Sequence, residues 1–193
     1  PILTDDPIEV SSKVIDAGVH DEQVNRVTQK LSVLDDDIAI VESFSHIITF
    51  RTDDGLVCFD SSGQLTGEAA VGALRGWSEA PVDSLVYTHG HVDHVGGSGA
   101  MAADAERRDH RPIRVVGHEA VARRFERYEL TSGYNTDINM RQFGGVGGVK
   151  DMAIGDVPKF LPDDTLWPDV EVGSSGSLDV GGQHFEFHHA KGE

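Results

Sequence analysis

Four side chains with the chemistry of metal ligands fall within six residues: His89, His91, Asp93 and His94, in the segment Thr88-His89-Gly90-His91-Val92-Asp93-His94-Val95-Gly96-Gly97. Imidazole nitrogens and a carboxylate are the donors that borderline divalent ions such as zinc accept. The segment follows the apolar run Ser84-Leu85-Val86-Tyr87, which reads as a short strand. A strand-to-loop transition turns side chains two positions apart toward a common point, so His89 and His91 can share one ion. The offset to Asp93 and His94 lets the chain bend and present a second pair nearby, as in two-metal hydrolytic sites with ions roughly 3.5–4 Å apart. Gly90, Gly96 and Gly97 permit the backbone turns this needs. A lone histidine in a polar loop would carry no such meaning; three with an aspartate at these offsets do.

The surrounding elements must hold that segment at a strand end. Ile38 to Val41 and Phe44 to Phe50 read as strands, and Asp53-Asp54-Gly55 as a hairpin turn, because the central positions of tight hairpins favour positive φ. Leu56 to Phe59 is the return strand, ending at Asp60. A helix over Glu68 to Trp77, capped by Ser62 or Thr66, leads to the strand before the motif. Beyond the motif come a helix from Ser98 to Arg108, a strand at Ile113 to Val116 and a helix from Glu119 to Leu130. That alternation predicts a layered α/β fold. Residues 131–168, with glycine clusters and prolines, read as a long loop over the site, and residues 98–168 as an insertion shaping its pocket. Val170 to Val172, Ser177 to Val180 and Gln183 to His189 read as strands, the last two joined by Gly181-Gly182. Residues 1–36 are polar with weak helical periodicity and read as an N-terminal arm to a domain over 37–193.

The 193 residues carry 33 acidic against 16 basic side chains, a net charge of −17. Nucleic-acid binding draws on Lys and Arg neutralising phosphates, so nucleic acid and anionic membrane are disfavoured as partners and a small-molecule substrate is expected; a homo-oligomer is left open. No run approaches the roughly 18 apolar residues of a membrane span, and the expectation is a cytoplasmic protein. The one cysteine, Cys58, lies in the apolar run Leu56-Val57-Cys58-Phe59 and reads as a buried, inert thiol.

The motif His89-Gly90-His91-Val92-Asp93-His94 resembles the HxHxDH signature of the metallo-β-lactamase superfamily, and Leu56 to Gly63 is similar to the strand that ends in Asp upstream of it there. Gly133-Tyr134-Asn135, Asn139 to Phe143 and the terminal His188-His189-Ala190-Lys191-Gly192-Glu193 look most like the alkylsulfatase-like branch. The resemblance implies an αββα sandwich, here without its C-terminal part, and a site for two Zn2+ ions, with Fe or Mn as alternatives. It assigns His89 and His91 to one ion and Asp93 and His94 to the other. Most members supply a further histidine after Gly at a later strand end; here Glu193 stands after Gly192, and the resemblance makes it a further metal ligand, with His188 and His189 as rivals.

The implied chemistry is hydrolysis by a zinc-activated hydroxide, with Asp93 also orienting the water and Asp60 fixing the loop or a ligand histidine. A sulfate ester would need local donors, for which Tyr134, Asn135, Asn139 and Arg141 are the candidates; His46 is placed on the rim of the site and His20, His110 and His118 receive no role. Lactone or thioester hydrolysis, persulfide oxidation at a single iron, or a degenerate metal-binding module are the rival readings.

Overall fold

The computed structural model describes residues 6–18, 26–142 and 159–190. Strands β1 (Lys30–Asp35), β2 (Ile38–Glu42), β3 (Ile47–Thr52) and β4 (Gly55–Phe59) form an antiparallel meander. Strands β5 (Val82–Val86), β6 (Arg114–His118) and β7 (Val170–Val172) extend it in parallel into a seven-stranded sheet in sequence order. Parallel neighbours require crossovers, and helices provide them. α2 (Gln64–Arg75) follows β4; α3 (Val92–Val95) and α4 (Ser98–Arg107) follow β5; α5 (Glu119–Leu130) and α6 (Ser132–Gln142) follow β6. The hairpin of β8 (Ser175–Val180) and β9 (Gln183–His188) is a second sheet, and α1 (Pro7–Ala17) precedes the whole.

Successive side chains of a strand point to opposite faces, and here both faces are covered. Leu56, Cys58, Leu85 and Val115 face the helices, packing with Leu74, Met101 and Phe125. Val57, Val86 and Val116 face the hairpin, packing with Leu178 and Val180. Phe50, Phe59 and Phe185 extend that second core, with ring centroids 5.6, 5.4 and 5.9 Å apart. Helix layer, sheet and second sheet together give the layered α/β class expected. Cys58 is buried, and burial pushes its thiol up to about 11, against the opposing influence of the Thr49 hydroxyl and Arg75.

Several elements depart from the sequence expectation. Residues 30–35, read as arm, form the edge strand β1, so a boundary at 36 would cut the β1–β2 hairpin. α1 forms behind an Asp6 cap whose Oδ1 accepts from Ile8 N at 2.9 Å. The β3–β4 turn centres on Asp53-Asp54, and of these residues Gly55 alone has positive φ, at 142°. α2 begins after Gly63, which has no side chain to cap it, and Ser62 and Thr66 bond each other. Residues 98–130, assigned to an insertion, are integral: α4, β6 and α5 carry core residues, as do Phe160 and Leu161. The loop expected after 131 begins with helix α6, which lacks an apolar stripe. Its polar side chains bond back one turn instead: Asn135 to Thr131 O, Thr136 to Ser132 O and Asn139 to Asn135 O.

Candidate metal centre

The motif sits past the C-terminal end of β5, where open parallel sheets gather their ligand sites. The chain leaves β4 through Asp60 and Ser62, both left-handed at φ 63° and 62°. Such a conformation costs a non-glycine residue roughly 1 kcal/mol or more, so the surroundings must over-determine it. At Asp60 they do. The buried carboxylate accepts from Thr88 N at 2.8 Å and Thr88 Oγ1 at 2.7 Å, and His94 Nδ1 stands 2.7 Å from its Oδ2. Ser61 completes the clamp, donating from both N (2.7 Å) and Oγ (2.9 Å) to the His94 carbonyl. Nδ1 of His94 thus faces the Asp60 carboxylate, and its Nε2 lies 3.6 Å from Asp93 Oδ2.

The other pair is His89 and His91, with Nε2 of the first 2.9 Å from Nδ1 of the second. His89 also lies 4.1 Å from His94 between ring centroids, and its Nδ1 is 3.0 Å from Thr88 Oγ1. All four motif side chains are half-buried, so the donors meet at the surface of a fixed scaffold. The donor set fits a borderline divalent ion in type. In spacing, two donors on one tetrahedral zinc stand roughly 3.3 Å apart at metal–nitrogen lengths of about 2.0–2.1 Å. The Asp93–His94 pair lies close to that separation, and the His89–His91 pair must part by a few tenths of an ångström. The donors form two pairs: among the described residues no group of three or more His, Cys, Asp or Glu side chains is arranged around one ion.

The remaining candidates are scattered. Glu193 lies outside the described residues. His188 is exposed and stands 3.4 Å from Glu186 on the outer face of β9, while His189 stacks on His118 at 4.2 Å and 22°. His46 Nδ1 lies 3.1 Å from Ser43 O and staples the β2–β3 loop, residues 43–46, of which the sequence reading took Phe44 to His46 for strand. On α6, Tyr134 and Arg141 are exposed, whereas the amides of buried Asn135 and half-buried Asn139 are spent on the helix backbone. Two contacts of the centre had no signal in the sequence. Ser45 Oγ donates to Asp93 Oδ2 at 2.7 Å, and a serine between Phe44 and His46 announces no such contact. The second is the Ser61 clamp on His94.

The chain belongs to the metallo-β-lactamase superfamily, whose profile matches residues 41–192. This is a family of metal-dependent hydrolase type whose members generally bind divalent metals such as zinc. Among solved structures the chain is similar to the stereoselective inverting sec-alkylsulfatase Pisa1 from Pseudomonas sp., at TM-score 0.63 and 19% identity over 86% of this chain and 28% of that one. It is also similar to a Cronobacter sakazakii metallo-β-lactamase with a HARLDQ motif, at TM-score 0.57 and 14% identity over 83% and 49%. A third is BJP-1, a subclass B3 metallo-β-lactamase of Bradyrhizobium japonicum, at TM-score 0.51 and 14% identity over 86% and 53%. At these identities the likeness is one of fold, and the chain spans about half of the lactamases and under a third of the sulfatase. No curated protein matches the chain. Among the described residues no helix is long and apolar enough to cross a membrane.

Proposed function

We propose that this protein is a metal-dependent hydrolase of small-molecule esters, with a sulfate ester as its substrate class. The observation that carries the reading is the pairing of donors at the end of β5, His89 with His91 and Asp93 with His94, the last held through Nδ1 by buried Asp60. When bound, the metal supplies Lewis acidity and lowers the pKa of water toward 7. The chain's own residues do the rest. Asp60 fixes the tautomer and direction of His94, and Asp93 has an oxygen, Oδ1, with no hydrogen bond among the described residues and suited to accept a proton from the attacking water. Glu193 is retained as a further ligand, and Tyr134 and Arg141 as exposed donors for the ester's anionic group. The sulfate preference rests on the wording of residues 133–143 and on the fold shared with the alkylsulfatase.

The test is turnover of a medium-chain alkyl sulfate, a simple lactone and a thioester by zinc-loaded protein, with His91→Ala as control and metal analysis of protein purified without added ions. Sulfate release that falls at least 100-fold in His91→Ala is expected. Equal turnover by that variant rejects the site, preference for the lactone or thioester moves the substrate class, and one iron with no hydrolysis rejects the hydrolase.

A further inference from the structure

Asp93 is gripped from an unexpected direction. The β2–β3 loop reaches the motif from the antiparallel part of the sheet, and its buried Ser45 donates to Asp93 Oδ2 at 2.7 Å across 48 positions of sequence. That length is typical of a hydroxyl bonded to a charged oxygen. The loop does not swing freely behind it. Ser43 Oγ is 2.6 Å from Ser62 Oγ, which is 2.8 Å from Thr66 Oγ1, so a run of hydroxyls ties the loop to the turn that also carries Asp60 and Ser61. His46 closes the loop on the Ser43 carbonyl. A buried serine commonly satisfies itself on a nearby backbone carbonyl; this one is spent on a motif carboxylate.

The terminal torsion of an aspartate is broad and lets either oxygen take either place. With Oδ2 bonded to Ser45 and 3.6 Å from His94 Nε2, the two oxygens of Asp93 are no longer equivalent. We propose that Ser45 is a positioning residue for Asp93: its hydroxyl locks the carboxylate so that Oδ1 is the free oxygen, and makes the β2–β3 loop part of the support of the metal centre. This inference rests on the metal-dependent reading above.

The test compares Ser45→Thr with Ser45→Val, which match in bulk and differ in the hydroxyl. Zinc affinity is read by competition with a chromophoric chelator, and folding by the thermal midpoint in excess chelator. Ser45→Thr is expected to bind zinc as the wild type does, and Ser45→Val about 10–100-fold more weakly at a similar midpoint, the usual effect of losing a group that orients a ligand. Equal affinity of the two variants overturns the role of Ser45, with the reading of the centre intact if His91→Ala loses zinc in the same assay. Wild type and His91→Ala binding zinc alike overturns the centre itself, and Ser45's role with it.

Discussion

Asp60 is held by three donors and in turn holds two elements, so its charge and its backbone conformation can be separated by substitution. Asparagine tolerates the left-handed region but has one acceptor oxygen where the carboxylate has two. Asp60→Asn is therefore expected to fold, with a thermal midpoint within a few degrees of wild type, yet to lose roughly 10–100-fold in zinc affinity because His94 is no longer oriented through Nδ1. Zinc affinity unchanged in Asp60→Asn would show that the residue only caps the strand. The motif itself was legible because ligand chemistry demands particular side chains at short offsets, and His89 to His94 satisfies that within one loop. Ser45 was illegible for the opposite reason: it acts across 48 positions, and a serine in the run Phe44 to Phe50 looks like an interruption of a strand.

The motif's loop is carried by close approach between elements. Gly97, just before α4, donates from N to Ser62 O, and a Cβ there would stand 2.0 Å from Ser61 O and 3.2 Å from Gly63 O. The colliding atoms are backbone, and Ser61 is the residue that clamps His94. Gly97→Ala is expected to cost about 2–4 kcal/mol, read as a lowered urea midpoint, whereas Gly72→Ala on α2, with nothing within 4 Å of the added carbon, should be neutral or stabilising by up to about 1 kcal/mol. Equal midpoints for the two variants would show that the β4–α2 turn yields at no cost. Elements with a strong local signal were foreseen: β4 from its continuous apolar run, and the β8–β9 turn because Gly181 and Gly182 both take positive φ, at 49° and 80°. β1 and α6 were not. β1 is an edge strand in which no residue is fully buried, so its hydrophobic pattern is faint, and α6 lacks an apolar stripe, its polar side chains bonding back to their own helix.

At the scale of the molecule, a net charge of −17 favours dispersal of carboxylates, yet Glu42, Asp60, Asp83 and Asp104 are buried, and Asp83 and Asp104 are each held by arginines and shifted in pKa. Burial opposes the charge of Asp104, but hydrogen bonds from Arg75 at 2.7 Å and Arg108 at 3.0 Å outweigh it and hold its carboxyl below the usual range. Asp83 is treated alike by Ser84 and Arg114. A carboxyl depressed on folding adds stability that is complete above its unfolded value near 4, and that drains away as pH falls through the lower folded value. Asp104→Asn, which leaves buried Arg75 without its carboxylate, should therefore be less stable than wild type by about 2–4 kcal/mol at pH 7, with the gap narrowing below pH 4. Urea midpoints across that range decide it; a gap independent of pH would remove Asp104 from the acid response.

The second sheet is fastened to the first at a point far away in sequence. Asp53 N donates to Gly181 O at 3.3 Å and Gly181 N to Asp54 Oδ2 at 3.0 Å, closing a span of 127 positions. A flexible chain of that length resists closure by roughly 4 kcal/mol of entropy before any contact rewards it. The longest contact that builds the donor pairs, Ser45 to Asp93, spans 48 positions, for which the same scaling gives roughly 3.4 kcal/mol. The difference, under about 1 kcal/mol, leans toward the strand ends bearing the histidines taking shape before the β8–β9 hairpin closes over the sheet.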